Sequence, residues 1–317
     1  MKQEKILPVA LKKGDVVAIA APAGPVTEKQ IASAIKKITK EGYQCITAEN
    51  INNKYGYLAG TDEERSQALN KLFRNPDIKA IIAARGGFGC TKILKYLDFE
   101  ALKKYPKIIS GYSDITALTT AIYKKTGLIT FHGSMPVPEE SNYTINSWTS
   151  VFSTSKTKSE IICEEDDILK KQGCSQNKEV WKSGKAKGIL FGGNLTLLEQ
   201  LIGTEYDFSG SGKILFWEEI NEPPYKIDRM LTHLENAGKF KGVKGMIIGI
   251  CRGCDSEGEN SLSLNQVIKD FASRQNFPIM SGFSFGHIVS RCTLPVGVKA
   301  EMNTEKFSLT LLEKCVE

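Results

Sequence analysis

Over its first 135 residues the chain alternates between short apolar runs and capped amphipathic stretches, a pattern few folds can accommodate. Asp15–Ala21 (DVVAIAA) reads as a buried strand that stops at Pro22-Ala23-Gly24-Pro25. Thr27 opens a T-x-x-Q capping box, and Ile31, Ala34, Ile35 and Ile38 then recur at helical spacing until Gly42. Gln44–Ala48 reads as a second strand, and Thr61-x-x-Glu64 caps a helix through Phe73. Ala80–Ala84 and Lys107–Ser110 read as further strands, the latter followed by a helix over Asp114–Lys125 that Gly127 ends. Strands alternating with helices imply right-handed βαβ units and a mostly parallel, Rossmann-like sheet. Such sheets carry their chemistry in the loops beyond the carboxyl ends of the strands.

The pattern then weakens. Residues 138–184 are rich in Ser, Thr, Asn, Lys and Glu and read as a linker with short strands, its EEDD run at 164–167 a solvated face. From 185 onwards the alternation returns: GILF, a helix after Gly192-Gly193-Asn194, KILFWEEI, YKIDRMLTHLENAG and GMIIGI. A helix around Leu264–Ala272 and short strands to Leu312 follow. The expected organisation is an α/β domain over 1–137, a linker over 138–184 and a second domain over 185–317. A length of 317 residues suits two domains, each with its own core.

Charge and cysteine content narrow the function classes. Forty-two Lys and Arg against 36 Asp and Glu leave +6, spread thinly, with no block of five or more basic residues. That pattern gives no support to nucleic-acid or membrane-surface binding. No apolar run reaches the ~18–20 residues that span a bilayer. The opening MKQEKILPVALKKGD lacks a signal-peptide core, so a cytoplasmic protein is expected. Eight scattered cysteines fit free thiols in a reducing compartment better than a disulfide framework. Cys251-Arg-Gly-Cys254 has neither a second pair nor a His cluster beside it, so no metal is expected there.

Two strand ends in the first half carry unusual residues. Arg85-Gly86-Gly87-Phe88-Gly89 lets backbone approach a ligand and present N–H groups to an anion; no GK[ST] follows, so it is not a P-loop. Gly111-Tyr112-Ser113-Asp114 puts a Ser on a sharp turn directly before a helix, either as an exposed nucleophile or as a helix cap. It is not G-x-S-x-G, since Ile115 fills the second Gly position. A nucleophilic Ser needs a base, and only three His exist. His233 falls within an amphipathic helix and reads as a surface residue. His132 ends the strand ITFH. His287 closes Phe283-Ser284-Phe285-Gly286-His287, which reads as a small-residue loop. Glu218 and Glu219 end the apolar strand KILFW, and alternation sends their side chains to opposite faces, leaving either one as the carboxylate that orients the base.

Taken together, these segments resemble the LD-carboxypeptidases, a family of serine peptidases, over nearly the whole chain. The matching stretches are LKKGDVVAIAAPAG, GYLAGTDEER, AARGGFG, IISGYSDITAL, FHGSM, GGNLTLL, LFWEEINEPPYKIDRML and SFGH. The resemblance implies a Rossmann-like domain followed by a swivelling β/β/α domain, with an active site at their junction. It implies Ser113 as nucleophile, Glu218 as triad acid and His287 as base, with an oxyanion hole from the N–H groups of Asp114 and the Gly86-Gly87 turn. Glu219 stands where relatives commonly carry Asp. The implied reaction is release of terminal D-Ala from murein tetrapeptides in cell-wall recycling, by a homodimer, without metal or organic cofactor. Arg85 is a candidate grip for the substrate carboxylate, or else a structural Arg bonded to loop carbonyls.

Three rival readings stand beside this one. Relatives resembling the microcin C immunity protein use the same triad on aminoacyl-nucleotide antibiotics, for which Trp181 is a candidate stacking residue. A murein-peptide binding protein would keep the scaffold without the chemistry. An amidotransferase-like hydrolase would need a Cys nucleophile, and Cys90 lacks the elbow context.

Overall fold

Thr27 and Thr61 both close reciprocal capping boxes, with Gln30 and Glu64, fixing the starts of two helices that flank a parallel sheet. The structure is a computed structural model and describes residues 4–136, 139–154, 156–171, 177–255, 258 and 260–317. The chain forms two compact units, Met1–Ser155 with Thr293–Gly297 and Lys314–Glu317, and Lys156–Cys292 with Val298–Glu313.

The first unit runs β1 (Val16–Ala20), α1 (Glu28–Lys40), β2 (Gln44–Thr47), α2 (Asp62–Arg74), β3 (Ile78–Ala83), α3 (Cys90–Ile93), α4 (Phe99–Lys104), β4 (Ile108–Gly111), α5 (Ile115–Thr126), β5 (Thr130–His132) and α6 (Asn142–Ser153). Its sheet has the order β12-β5-β4-β3-β1-β2, where β12 is Leu294–Val296. β1 to β5 are parallel, and β12 runs antiparallel to β5. The chain steps one way from β1 to β2 and the other way from β3 onwards. The crevice at such a reversal is where open α/β sheets bind ligands.

The second unit holds β6 (Ser159–Ile161), α7 (Asp166–Lys171), β7 (Glu179–Lys182), β8 (Lys185–Asn194), α8 (Leu195–Gln200), β9 (Lys213–Glu218), α9 (Pro224–Asn236), β10 (Gly245–Ile250), α10 (Leu264–Arg274), β11 (Ile279–Gly286), β13 (Lys299–Asn303) and β14 (Ser308–Leu311). Its sheet has the order β6-β14-β13-β8-β9-β10-β11-β7. The central strands β8 to β11 are parallel and largely buried, β8 exposing Lys185 and Lys187 at its start, and the outer pairings are antiparallel.

Three features depart from the sequence expectation. Residues 138–184 contain α6, capped by Ser141, which buries Trp148, Val151 and Phe152 in the first unit. Its polar face hid the apolar stripe. The FSFG run is not a loop but the end of β11, buried throughout. Leu294–Val296 returns to the first sheet, a pairing that spans some 160 residues and that local pattern cannot reveal.

Candidate active site

In the first unit, β4 ends at Gly111 and α5 begins at Ile115, leaving three residues to turn the chain. Ser113 absorbs the turn with φ +62°, one of three non-glycine residues at positive φ among those described. A bulky or β-branched side chain there would be strained, and such strain concentrates at functional sites. The Thr116 N–H donates to the Ser113 carbonyl (2.9 Å) and the Ala117 N–H to that of Asp114 (3.2 Å), closing the first turn behind the hydroxyl. The N-cap of α5 is Asp114, which makes no side-chain cap hydrogen bond, and Ser113 stands half-buried one residue before it.

The glycine turn after β3 lies against that elbow. A Cβ on Gly86 would sit 2.7 Å from Ser113 Cβ, 2.9 Å from Ser113 Oγ and 3.4 Å from the Asp114 N. Only glycine permits this approach. The Gly24 N–H donates to the Gly86 carbonyl (3.1 Å) and the Ala84 N–H to that of Ala20 (2.7 Å), tying the loops after β1 and β3 together at the reversal of strand order. Gly87 follows at φ +116°. Asp114 is buried and its Oδ2 accepts the Cys90 N–H at 2.8 Å, which pins the far side of the glycine turn to the elbow. Burial pushes the Asp114 carboxyl upward, against the Cys90 and Gly89 N–H groups and Arg65, which favour its ionised form.

Two arginines frame this turn differently. Arg65 is fully buried: Nη1 donates to the carbonyls of Pro22 (2.5 Å) and Gly89 (2.9 Å), and Nη2 pairs with Asp62 Oδ1 (2.5 Å). One guanidinium therefore fastens both loops. Sequence reading missed it, because DEER at a helix start looks like a solvated face. Arg85 is exposed and its Nη1 donates to the Pro25 carbonyl at 3.2 Å, the structural alternative foreseen for it.

In the second unit, Glu218 ends β9, fully buried, and its Oε2 lies 2.7 Å from His287 Nδ1. Gly286 makes the contact possible: φ is +121°, and a Cβ there would come within 3.1 Å of Glu218 Oε2. Burial alone would lower the imidazole's pKa; the Glu218 charge and hydrogen bond, with Glu219 behind them, outweigh it and hold His287 above its ordinary value. Arg291 opposes them weakly. Glu219 points elsewhere, towards Asn194 and Thr196. The alternation of the two carboxylates is therefore resolved by contact, with Glu218 on the imidazole.

The other candidates separate from these two clusters. His233 is half-exposed on α9 and pairs with Glu199 at 2.6 Å. His132 is buried on β5, edge-on to Tyr112 at 6.3 Å. Cys90 is buried behind Asp114, and burial drives its thiol well up, so it is no nucleophile. Cys251 and Cys254 are free and buried, their thiols also raised by burial, Cys254 to about 12. Cys174 lies outside the described residues. Trp181 sits on β7 with its Nε1–H donating to Ser281 Oγ at 2.8 Å. The EEDD run leads into α7. Among the described residues no group of three or more His, Cys, Asp or Glu is placed to hold a metal ion. No described helix is long and apolar enough to cross a membrane.

A strained Ser elbow under a glycine turn, and a buried carboxylate on an imidazole, are the parts of a serine hydrolase. Residues 17–133 match the LD-carboxypeptidase N-terminal domain and residues 187–302 the LD-carboxypeptidase C-terminal domain. A probable murein peptide carboxypeptidase of Bacillus subtilis (strain 168) is 39% identical over 298 residues, covering 94% of this chain and 91% of that protein. Among solved structures, MccF in complex with glutamyl sulfamoyl guanosine superposes with a TM-score of 0.90 at 26% identity, covering 98% of this chain and 99% of that one. The muramoyltetrapeptide carboxypeptidase of Oxalobacter formigenes superposes with a TM-score of 0.80 at 31% identity, covering 93% and 97%. The chain belongs to the LD-carboxypeptidase family and is a serine-type carboxypeptidase, a hydrolase.

Proposed function

We propose that the enzyme removes the terminal D-Ala from murein tetrapeptides, cutting the bond to the L-centre of the diamino acid at position three, with Ser113, His287 and Glu218 as its triad. The observation that carries the mechanism is the 2.7 Å contact between His287 Nδ1 and the fully buried Glu218. That contact orients the ring and stabilises its charged form, as a triad acid does. The relative named for murein peptides, alike along nearly its full length, supports the substrate.

In this mechanism His287 Nε2 takes the Ser113 proton as Oγ attacks the peptide carbonyl carbon. The resulting oxyanion accepts N–H groups from Asp114 and Gly87, the former at the start of α5. The C–N bond breaks, His287 returns the proton to the D-Ala amine, and the acyl group stays on Ser113 as an ester. Water, deprotonated by His287, attacks that ester; the C–O bond to Ser113 breaks, His287 returns the proton to Ser113 Oγ, and the shortened peptide leaves. All the chemistry is proton transfer and acyl transfer. The resemblance to the family supports a homodimer, and the seven free cysteines among the described residues support a reducing, cytoplasmic setting.

A second reading, cleavage of aminoacyl-nucleotide antibiotics, draws support from the higher TM-score with MccF. Against it, the relative named for murein peptides is 39% identical to this chain, whereas the MccF structure is 26% identical. Incubating the purified enzyme in parallel with murein tetrapeptide and an aminoacyl sulfamoyl nucleoside, read by mass spectrometry, separates the two. D-Ala release that Ser113→Ala abolishes, with folding intact by circular dichroism, is the expected result. Cleavage of the nucleoside alone, or full activity of Ser113→Ala, overturns the proposal.

A further inference from the structure

We propose that Glu219 is a positioning residue of the catalytic machinery: it pins the peptide that carries Glu218 and supplies a second negative charge behind the Glu218–His287 pair. The inference rests on the triad reading above but concerns a residue that touches neither nucleophile nor base.

Glu219 is buried, and both its oxygens are fully engaged. Oε1 accepts Asn194 Nδ2 (2.9 Å) and the Ile220 N–H (2.9 Å); Oε2 accepts the Thr196 N–H (2.9 Å) and Thr196 Oγ1 (2.8 Å). Three of these four donors come from the corner where β8 passes into α8. The first residue of that corner, Asn194, is the register partner of Glu218 in the parallel β8–β9 pair. Asn194 is itself fixed, its Oδ1 accepting the Leu197 N–H at 3.3 Å. The carboxylate thus joins the end of β9 to the neighbouring strand at the level of the triad acid, and the Ile220 bond holds the chain immediately beyond it. Rotation of the Glu218 backbone away from His287 would break this set.

A Gln there would turn an NH2 donor toward groups that now donate to Glu219, so the hydrogen-bond set itself favours a carboxylate. Setting two carboxylates side by side in a buried place is unfavourable: burial and the neighbouring Glu218 both raise the Glu219 pKa. The electrostatic surroundings are mixed. Around the two acids stand His287 and Arg291 beyond β11, and the thiols of Cys251 and Cys254 beyond β10. Of these His287 gains most from a second nearby negative charge, because it must become an imidazolium during the reaction. That benefit is functional and comes on top of the structural one.

Glu219→Gln keeps the size and removes the charge. Loss of charge-assisted hydrogen bonds of this kind predicts a kcat about ten- to a hundredfold lower, with KM within about twofold. A residue that only braced the corner between β8 and α8, without holding Glu218 or adding charge near His287, would leave the His287 titration where it is. With three His in the chain, the imidazole signals can be followed by 13C NMR, and His287 is expected to titrate at lower pH in Glu219→Gln than in the unaltered enzyme. Glu219→Asp, which restores the charge, should return that titration most of the way. An unchanged His287 titration in Glu219→Gln, whether kcat falls or not, overturns the proposal. The titration needs no substrate, so it remains decisive for Glu219 even if the unaltered enzyme releases no D-Ala, a result that would instead count against the proposed function.

Discussion

His287 Nδ1 and Glu218 Oε2 lie 2.7 Å apart, although 69 residues separate them. Parallel strands β9, β10 and β11 carry the two residues to the same end of one sheet, and Gly286 at φ +121° folds His287 back onto the acid. In the proposed mechanism this bond fixes the tautomer in which Nε2 is the proton acceptor. Glu218→Gln keeps the shape but offers an amide, which favours the wrong tautomer and leaves the imidazolium unsupported. A kcat loss of roughly 10³–10⁴ with KM changed by at most a few fold is expected. Steady-state kinetics with a D-Ala-terminated peptide checks this; a loss of less than tenfold would remove Glu218 as the triad acid.

The same pair sets the pH response. His287 acts as base only when neutral, and its pKa is held above the ordinary ~6.5 by Glu218 despite burial. Activity is therefore expected to fall as pH drops through that raised value, and the midpoint of the fall should move to lower pH in Glu218→Gln. Stability runs the opposite way. A histidine whose folded pKa exceeds its unfolded one adds stability fully below about pH 6.5 and loses it as pH rises through the folded value. Thermal unfolding between pH 5 and 8 should show the unaltered enzyme's advantage over Glu218→Gln shrinking as pH rises. An advantage that grows with pH would contradict the sign.

Gly86 offers a steric test of the other half of the machinery. An added Cβ would sit 2.7 Å from Ser113 Cβ, closer than real carbon contacts allow, so either the turn or the nucleophile must move. Misplacing a reacting group by about 1 Å can cost a hundredfold in rate. Gly86→Ala is expected to lower kcat about a hundredfold or more while urea unfolding changes by less than about 2 kcal/mol. Unaltered turnover would mean that the glycine turn has slack that the proposed oxyanion hole does not tolerate.

How far the sequence carried this picture depends on the reach of each signal. Strand and helix alternation and the two capping boxes are local, so the first sheet was readable from β1 to β5. The proposed nucleophile and base, Ser113 and His287, stand out in the sequence because a strand-to-helix Ser is conspicuous and His is scarce. The choice between Glu218 and Glu219 was different: period-two alternation says the two diverge, but which of them meets His287 depends on β11, more than sixty residues away. β12 joins the first sheet across some 160 residues, and α6 hides behind a polar face. Arg65 lies in a charged run at a helix start, where burial is the exception, and nothing local distinguishes it from Arg85.

Arg65 is accordingly where stability and the site meet. It is fully buried, and the carbonyls of Pro22 and Gly89 depend on its Nη1 while Asp62 pairs with its Nη2. Asp62 also meets Lys92 at 3.3 Å, so part of its charge stays compensated if Arg65 is lost. Arg65→Met removes the donor to two loop carbonyls and breaks one ion pair, a change expected to cost about 3–5 kcal/mol. Arg65→Lys should recover only a minor part, because a single ammonium cannot reproduce the planar fork that spans Pro22, Gly89 and Asp62. The loops joined by this guanidinium include the glycine turn against Ser113, so the surviving folded Arg65→Lys should also turn over more slowly. Urea denaturation of both variants, with kcat measured on the folded fraction, checks the two effects together. A cost below about 1 kcal/mol for Arg65→Met would show that the loops hold their places without it.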